Sequence, residues 1–284
     1  MVATIGNPLS WGVKQMGAAG RGVRHAAEHA GGDGEMALPT IRRIGMSDLR
    51  AALKMGFADF VAMRSDVLMA CLLYPVIGVC LGWFAGHRGM MPVIFPLVSG
   101  FALVGPVAGL GLYELSRRRE AGDEPGWSDM FKVVAAPGFG AVLMMAIALA
   151  VLFVVWVVAA WLLFLLTVGG DYPTVGAFAA AVLGTTGGWV MMLVGIPLGF
   201  LFALAALVSS SVTFPLLLDR DIGLPRAVAT SVALFRANPA TMLIWGLIIV
   251  LGLVIGSIPL LLGLAVSLPV LGHATWHLYR RSVE

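Results

Sequence analysis

The sequence predicts an all-α, polytopic membrane protein with six transmembrane helices. Three observations carry this reading. Hydrophobic residues make up 60% of the 284 and charged ones only 12%, against roughly 25% charged in soluble domains, and the mean hydropathy is +0.96. Six apolar stretches, near 67–86, 91–113, 139–168, 188–218, 240–257 and 259–279, approach or exceed the roughly 20 residues a helix needs to cross the hydrocarbon layer. Threaded through a membrane in alternation, these spans put 17 of the 18 Lys and Arg residues on one side and leave only Arg88 on the other. By the positive-inside rule that side is cytoplasmic, and both termini lie there.

Taken in order, residues 1–38 mix Gly, Ala and charge without an apolar run. They read as a mostly flexible cytoplasmic tail without a secretory signal peptide, ahead of a membrane domain over 39–284. From Ser47 to Arg64, Leu49, Leu53, Phe57 and Phe60 recur at helical spacing behind Ser47 as N-cap, which predicts an amphipathic cytoplasmic helix. Anionic headgroups or the protein itself can cover its apolar side. A shorter stripe of Trp127, Met130, Phe131 and Val134 precedes the third span, and Leu224, Val228, Val232 and Phe235 precede the fifth. The chain thus reads as three parallel units of helix, span and span, unlike the inverted repeats of many secondary transporters.

The clearest trace of repetition pairs Pro106 with Pro269, Gly109 with Gly272, Tyr113 with Trp276, and Arg117 and Arg118 with Arg280 and Arg281. Proline removes a backbone donor and bends a helix, and glycine lets a neighbour approach closely. Pro106, Gly109, Pro269 and Gly272 are therefore expected structural positions at equivalent places, and the four arginines expected cytoplasmic anchors. Glycines four apart at 78, 82 and 86, at 195 and 199, and at 252 and 256 predict close helix packing. Pro259 falls in a short outer turn, so residues 240–279 either cross twice or form a re-entrant hairpin. Cys71 and Cys80 both sit in the first span, about 13 Å apart along a helix, too far to bond.

Little in the spans carries chemistry. Glu114 stands one turn before Arg117 and Arg118 and is expected to pair with them. His273 and His277 are spaced to share one helix face; they are the candidate metal or haem ligands, although two histidines without further ligands are a weak signal. No phosphate loop, zinc-protease motif, dinucleotide fingerprint or nucleophile elbow is present. The basic residues sit at helix ends rather than in one patch, which speaks against nucleic acid as a partner.

PTIRRIGMSDLRAALKMGFADF at 39–60, SGFALVGPVAGLGLYELSRRRE at 99–120, SVTFPLLLDRDIGLPRAVATS at 211–231 and LPVLGHATWHLYR at 268–280 resemble a bacterial family of predicted integral membrane proteins of unknown function. Some of its members carry the label cytochrome c oxidase subunit I. The resemblance implies no catalytic residue. A haem-copper catalytic subunit needs about six histidines within its spans, and only His273 and His277 are offered here. The expectation is a non-enzymatic accessory or scaffold subunit of the inner membrane, without a cofactor, whose partners are anionic lipid headgroups and other membrane subunits. The alternatives are a channel or carrier for a small solute and a metal- or haem-binding redox accessory built on the two histidines.

Overall fold

The computed structural model describes residues 38–63, 76, 79, 80, 83, 91–136, 138–172, 174–259 and 261–284. The expected tail and most of the first expected span, with Cys71 and Arg88, lie outside them. Helix α1 is Met46–Ala62. Helix α2 (Met91–Phe101), a 3₁₀ turn (Ala102–Val104), α3 (Gly105–Ala108) and α4 (Leu110–Glu120) form one interrupted run. After a 3₁₀ helix at Trp127–Ala135 come α5 (Phe139–Thr167), α6 (Val175–Gly184), α7 (Thr186–Ser210) and α8 (Thr213–Asp219). The chain closes with α9 (Leu224–Ala237), α10 (Pro239–Ser257) and α11 (Leu264–Ser282).

Among the described residues four runs are long and apolar enough to cross a membrane: Ile94–Glu120, Phe139–Thr167, Thr186–Asp219 and Pro239–Ser257. The expected sixth span corresponds to α11, which starts at Leu264 rather than at 259 and is not one of the four. Its second half carries His273, Thr275, His277, Arg280 and Arg281, and it is buried by protein over residues 271–279. Helix α6 was not expected from the sequence. Thr174 begins it by accepting from the Ala177 amide at 3.1 Å, and Thr185 begins α7 by accepting from the Gly188 amide at 3.0 Å. Each hydroxyl satisfies a donor that a helix start leaves orphaned.

Glycine contacts set how the helices meet. A Cβ on Gly100 of α2 would lie 2.5 Å from the Phe153 ring of α5, while Gly195 and Gly199 of α7 face Leu163 and Trp156 of α5. Gly252 meets Leu271 and Gly256 meets Ser267, so α10 and α11 pack antiparallel after the turn at 258–263. The spacings at 195 and 199 and at 252 and 256 therefore act as packing surfaces, as expected, while Gly78, Gly82 and Gly86 lie outside the described residues.

Each amphipathic helix buries part of its apolar stripe together with small residues beside it. Helix α1 turns Leu49, Ala52, Gly56, Asp59 and Phe60 inward and leaves Phe57 55% exposed. Helix α9 buries Ala227, Thr230, Ser231 and Leu234, with Leu224, Val228, Val232 and Phe235 half-buried beside them. Small residues allow the backbone close to the protein, and the large apolar ones are left to flank the contact. The best-buried region gathers Leu49, Phe214, Leu216, Trp276, Leu278 and Tyr279 beside the arginines. The middles of α5 and α7 keep Val154, Leu162, Leu193 and Ile196 exposed. Apolar surface that meets hydrocarbon has no need to be buried.

Candidate functional site

Three helices converge on one buried carboxylate. Asp59 of α1 is 5% exposed. Its Oδ2 accepts from Ser116 Oγ of α4 at 2.6 Å and from His277 Nε2 of α11 at 2.8 Å, and its Oδ1 accepts from Arg119 of α4. Ser116 Oγ also lies 2.8 Å from His273 Nδ1. The proton positions follow from the partners. An ionised carboxylate only accepts, so the serine proton points to Asp59 and His273 must donate Nδ1–H to the serine oxygen. This leaves His273 Nε2 with a lone pair, and that atom is buried without a hydrogen-bond partner among the described residues. The Leu112 carbonyl also lies beside the ring.

Burial alone pushes the Asp59 carboxyl up, but hydrogen bonds from His277 and Ser116 and the charge of His277 outweigh it and hold the group below its ordinary range. This order of donors differs from that of a nucleophilic triad. There the histidine accepts from the serine, whereas here the serine hydrogen goes to the carboxylate and Ser116 is buried.

The sequence places α1 here by its small residues. A Cβ on Gly56 would meet the Ala274 backbone, and this close approach carries Asp59, one turn on, between His277 and Ser116. The segment before α1 is tied down as well. Ile41 pairs antiparallel with Val283, and Asn238 accepts from the Ile44 amide at 2.8 Å and donates to the Arg42 carbonyl at 3.1 Å.

A second, more exposed layer surrounds the junction. Glu114 accepts from Arg117 Nε and Nη2 and from Arg118 Nε, as its spacing predicts. Trp276 Nε1 donates to Glu120 at 2.9 Å, Arg280 Nε to Glu120 at 3.0 Å, and Tyr279 to Asp219 at 2.6 Å. Arg281 reaches Asp48 at 3.6 Å. The four expected anchor arginines thus gather at one end, each with a carboxylate of the protein. Tyr113 and Trp276, paired by the repeat, are both buried.

Of the expected structural positions, Gly272 faces Leu112 of α4, but Gly109 faces Tyr113 of its own run. Pro106 restarts a helix after a 3₁₀ turn, whereas Pro269 lies inside the continuous α11. The two prolines therefore occupy different helical settings. Helices α4 and α11 lie side by side and parallel, with contacts between 112 and 272, 116 and 273, and 120 and 276.

His273 and His277 do share one region, each bonded to a different partner. Among the described residues no group of three His, Cys, Asp or Glu side chains is placed to hold a metal ion. The sequence reading missed Asp59, Ser116, Arg119 and Asn238. A stripe of Ala52, Gly56 and Asp59 on one face of α1 was the available signal for the first.

Residues 94–219 match the model of a family described as predicted integral membrane protein (DUF2189). No curated protein and no solved structure matches the chain. The matched stretch holds Ser116 and Arg119 and stops short of α1 and α11, which supply Asp59 and the two histidines.

Proposed function

We propose that the chain, part of which matches a family of integral membrane proteins, is a non-enzymatic accessory or scaffold subunit of a bacterial inner-membrane complex. In this reading it crosses six times in three parallel units, with both termini cytoplasmic. The observation that supports it is the third of the four apolar runs. Thr186–Asp219 has a mean hydropathy of 2.5 with only 6% of its apolar window buried within the chain, and it presents Leu193, Ile196, Phe200 and Leu201 outward. A wall of this kind takes lipid or a second membrane protein. The buried polar groups at the arginine end are bonded to one another and fasten α1, α4 and α11, the use expected of a framework.

The test places a photo-crosslinking residue at Leu193, Ile196 or Leu201 in cells, followed by purification in mild detergent and a visible spectrum. Crosslinks to another membrane protein that co-purifies support the reading. A protein that crosslinks only to lipid and conducts a solute in liposomes would overturn it in favour of a carrier, and a haem spectrum would overturn it in favour of a redox protein.

A further inference from the structure

At the arginine-bearing end an open cleft of about 410 Å³ lies between α4, the 3₁₀ helix Trp127–Ala135 and α8. Its polar lining is Glu114, Arg117, Arg118, Lys132 and Asp219, three cations and two carboxylates. Glu114 forms a built floor, its side chain only 3% exposed under the two arginines. The arginines do not spend all their donors on it. Arg117 uses Nε and Nη2 and Arg118 uses Nε, so Arg117 Nη1 and Arg118 Nη2 make no hydrogen bond to another described residue. A guanidinium has five N–H donors in a fixed fork, which suits phosphate oxygens. Lys132 stands beside them, 56% exposed and paired with Asp129 at 2.5 Å, and Asp129 also lies 4.0 Å from Arg118 Nη1.

The neighbouring 3₁₀ helix is sided. With three residues per turn, positions three apart share a face. Val133 is buried, and Met130 turns toward Gly111 of α4. Phe131 and Val134 point outward, and Trp127 stacks edge-on against Phe131 at 6.0 Å. This segment runs almost directly into the 29 apolar residues of α5, so its outward face is continuous with the start of a membrane span. Aromatic side chains at such a level sit among lipid headgroups.

We propose that this cleft seats the headgroup of one aminophospholipid. The phosphate lies on the unused guanidinium donors of Arg117 and Arg118 beside Lys132, the ammonium turns to Asp219, whose side chain is 22% exposed, and the acyl chains leave over Trp127, Phe131 and Val134. The balance of charge decides the class. Arg117, Arg118 and Lys132 are matched by Glu114, Asp129 and Asp219, so a headgroup carrying both signs keeps the region neutral, whereas one with a phosphate alone adds an unmatched negative charge.

The test uses the full chain in nanodiscs containing equal phosphatidylethanolamine, phosphatidylglycerol and phosphatidylcholine, with retained lipids read by native mass spectrometry after detergent extraction. Phosphatidylethanolamine is expected to be retained above both others. Lys132→Gln, at a half-exposed residue, should lower its retention about threefold, and Phe131→Ser should lower retention with an unchanged melting temperature. Asp219→Asn should move the preference toward phosphatidylglycerol; should that variant unfold through loss of its bond to Tyr279, the other two carry the test. Preference of the wild type for phosphatidylglycerol, equal retention of all three lipids, or indifference to both exposed-residue variants would each overturn the proposal. So would displacement of the lipid by millimolar phosphoethanolamine, which would make a free phosphoester the ligand.

Discussion

Gly56 and Ala274 hold α1 and α11 at backbone contact: a Cβ built on the glycine would lie 2.5 Å from the Ala274 nitrogen and 2.7 Å from its Cα. Backbone cannot rotate aside as a long side chain can. Gly56→Ala therefore sets a gain in helix propensity of about 1 kcal/mol against an overpacking cost of about 1–3 kcal/mol, and the cost should win because both partners are helical backbone. The melting temperature in detergent should fall. Gly176→Ala is the control, since its Cβ would meet nothing within 4 Å; it should be neutral or stabilising.

Asp59→Ala should destabilise the protein by about 3 kcal/mol, because it strips a buried acceptor from two buried donors. Arg119 adds little to that figure, as its side chain is 40% exposed and can turn to water. A double-mutant cycle separates the parts. Asp59→Ala with His277→Ala should show a coupling of about 1–3 kcal/mol, larger than Asp59→Ala with Arg119→Ala. Equal couplings in thermal melts would show that exposure does not set the ranking.

The membrane class and the gathering of basic residues at one end were legible because hydropathy and charge act residue by residue. Glu114 with Arg117 and Arg118 was legible for the same reason, being a contact within one helix. The junction was not. Asp59 and His277 come together over 218 positions, and only the approach of Gly56 to Ala274 brings them there. The apolar stripes marked only part of the buried face: Leu49 and Phe60 are buried, while Phe57 is exposed. The closest backbone approach falls to Gly56, beside the buried Ala52, and the small size of these residues has no hydropathic signature. Helix α6 was hidden between two strong spans. Its ten residues are too few to cross a membrane, and it starts from a single threonine cap.

The hairpin of α10 and α11 should fail at its glycines before it fails at its prolines. A Cβ on Gly263 would lie 2.7 Å from the Gly256 carbonyl oxygen and 2.9 Å from its Cα. Gly263→Val should separate the two helices at the turn and raise protease sensitivity near Leu262. Gly252→Ala meets only the tip of Leu271, a side chain with rotamers to spare, and should cost less than Gly263→Val. Limited proteolysis with mass spectrometry reads the difference directly.

Acid should loosen the junction, and the direction follows from Asp59. Its carboxyl is held below the ordinary value of 3.8, so the folded state binds its proton more weakly than the unfolded state does. A group shifted down in this way contributes stability that is whole above the unfolded value and is lost as pH falls through the folded one. The loss therefore belongs below about pH 4. Melting temperatures of wild type and Asp59→Asn, measured from pH 6 to pH 3, should converge as the pH drops, because the asparagine has no such contribution to lose. Other carboxylates titrate in the same range and lower both curves, which is why the difference between the two proteins is the quantity to follow. A gap that stays constant or widens toward pH 3 would mean that Asp59 is not ionised within the junction, and the proton assignment for Ser116 and His273 would have to be reversed.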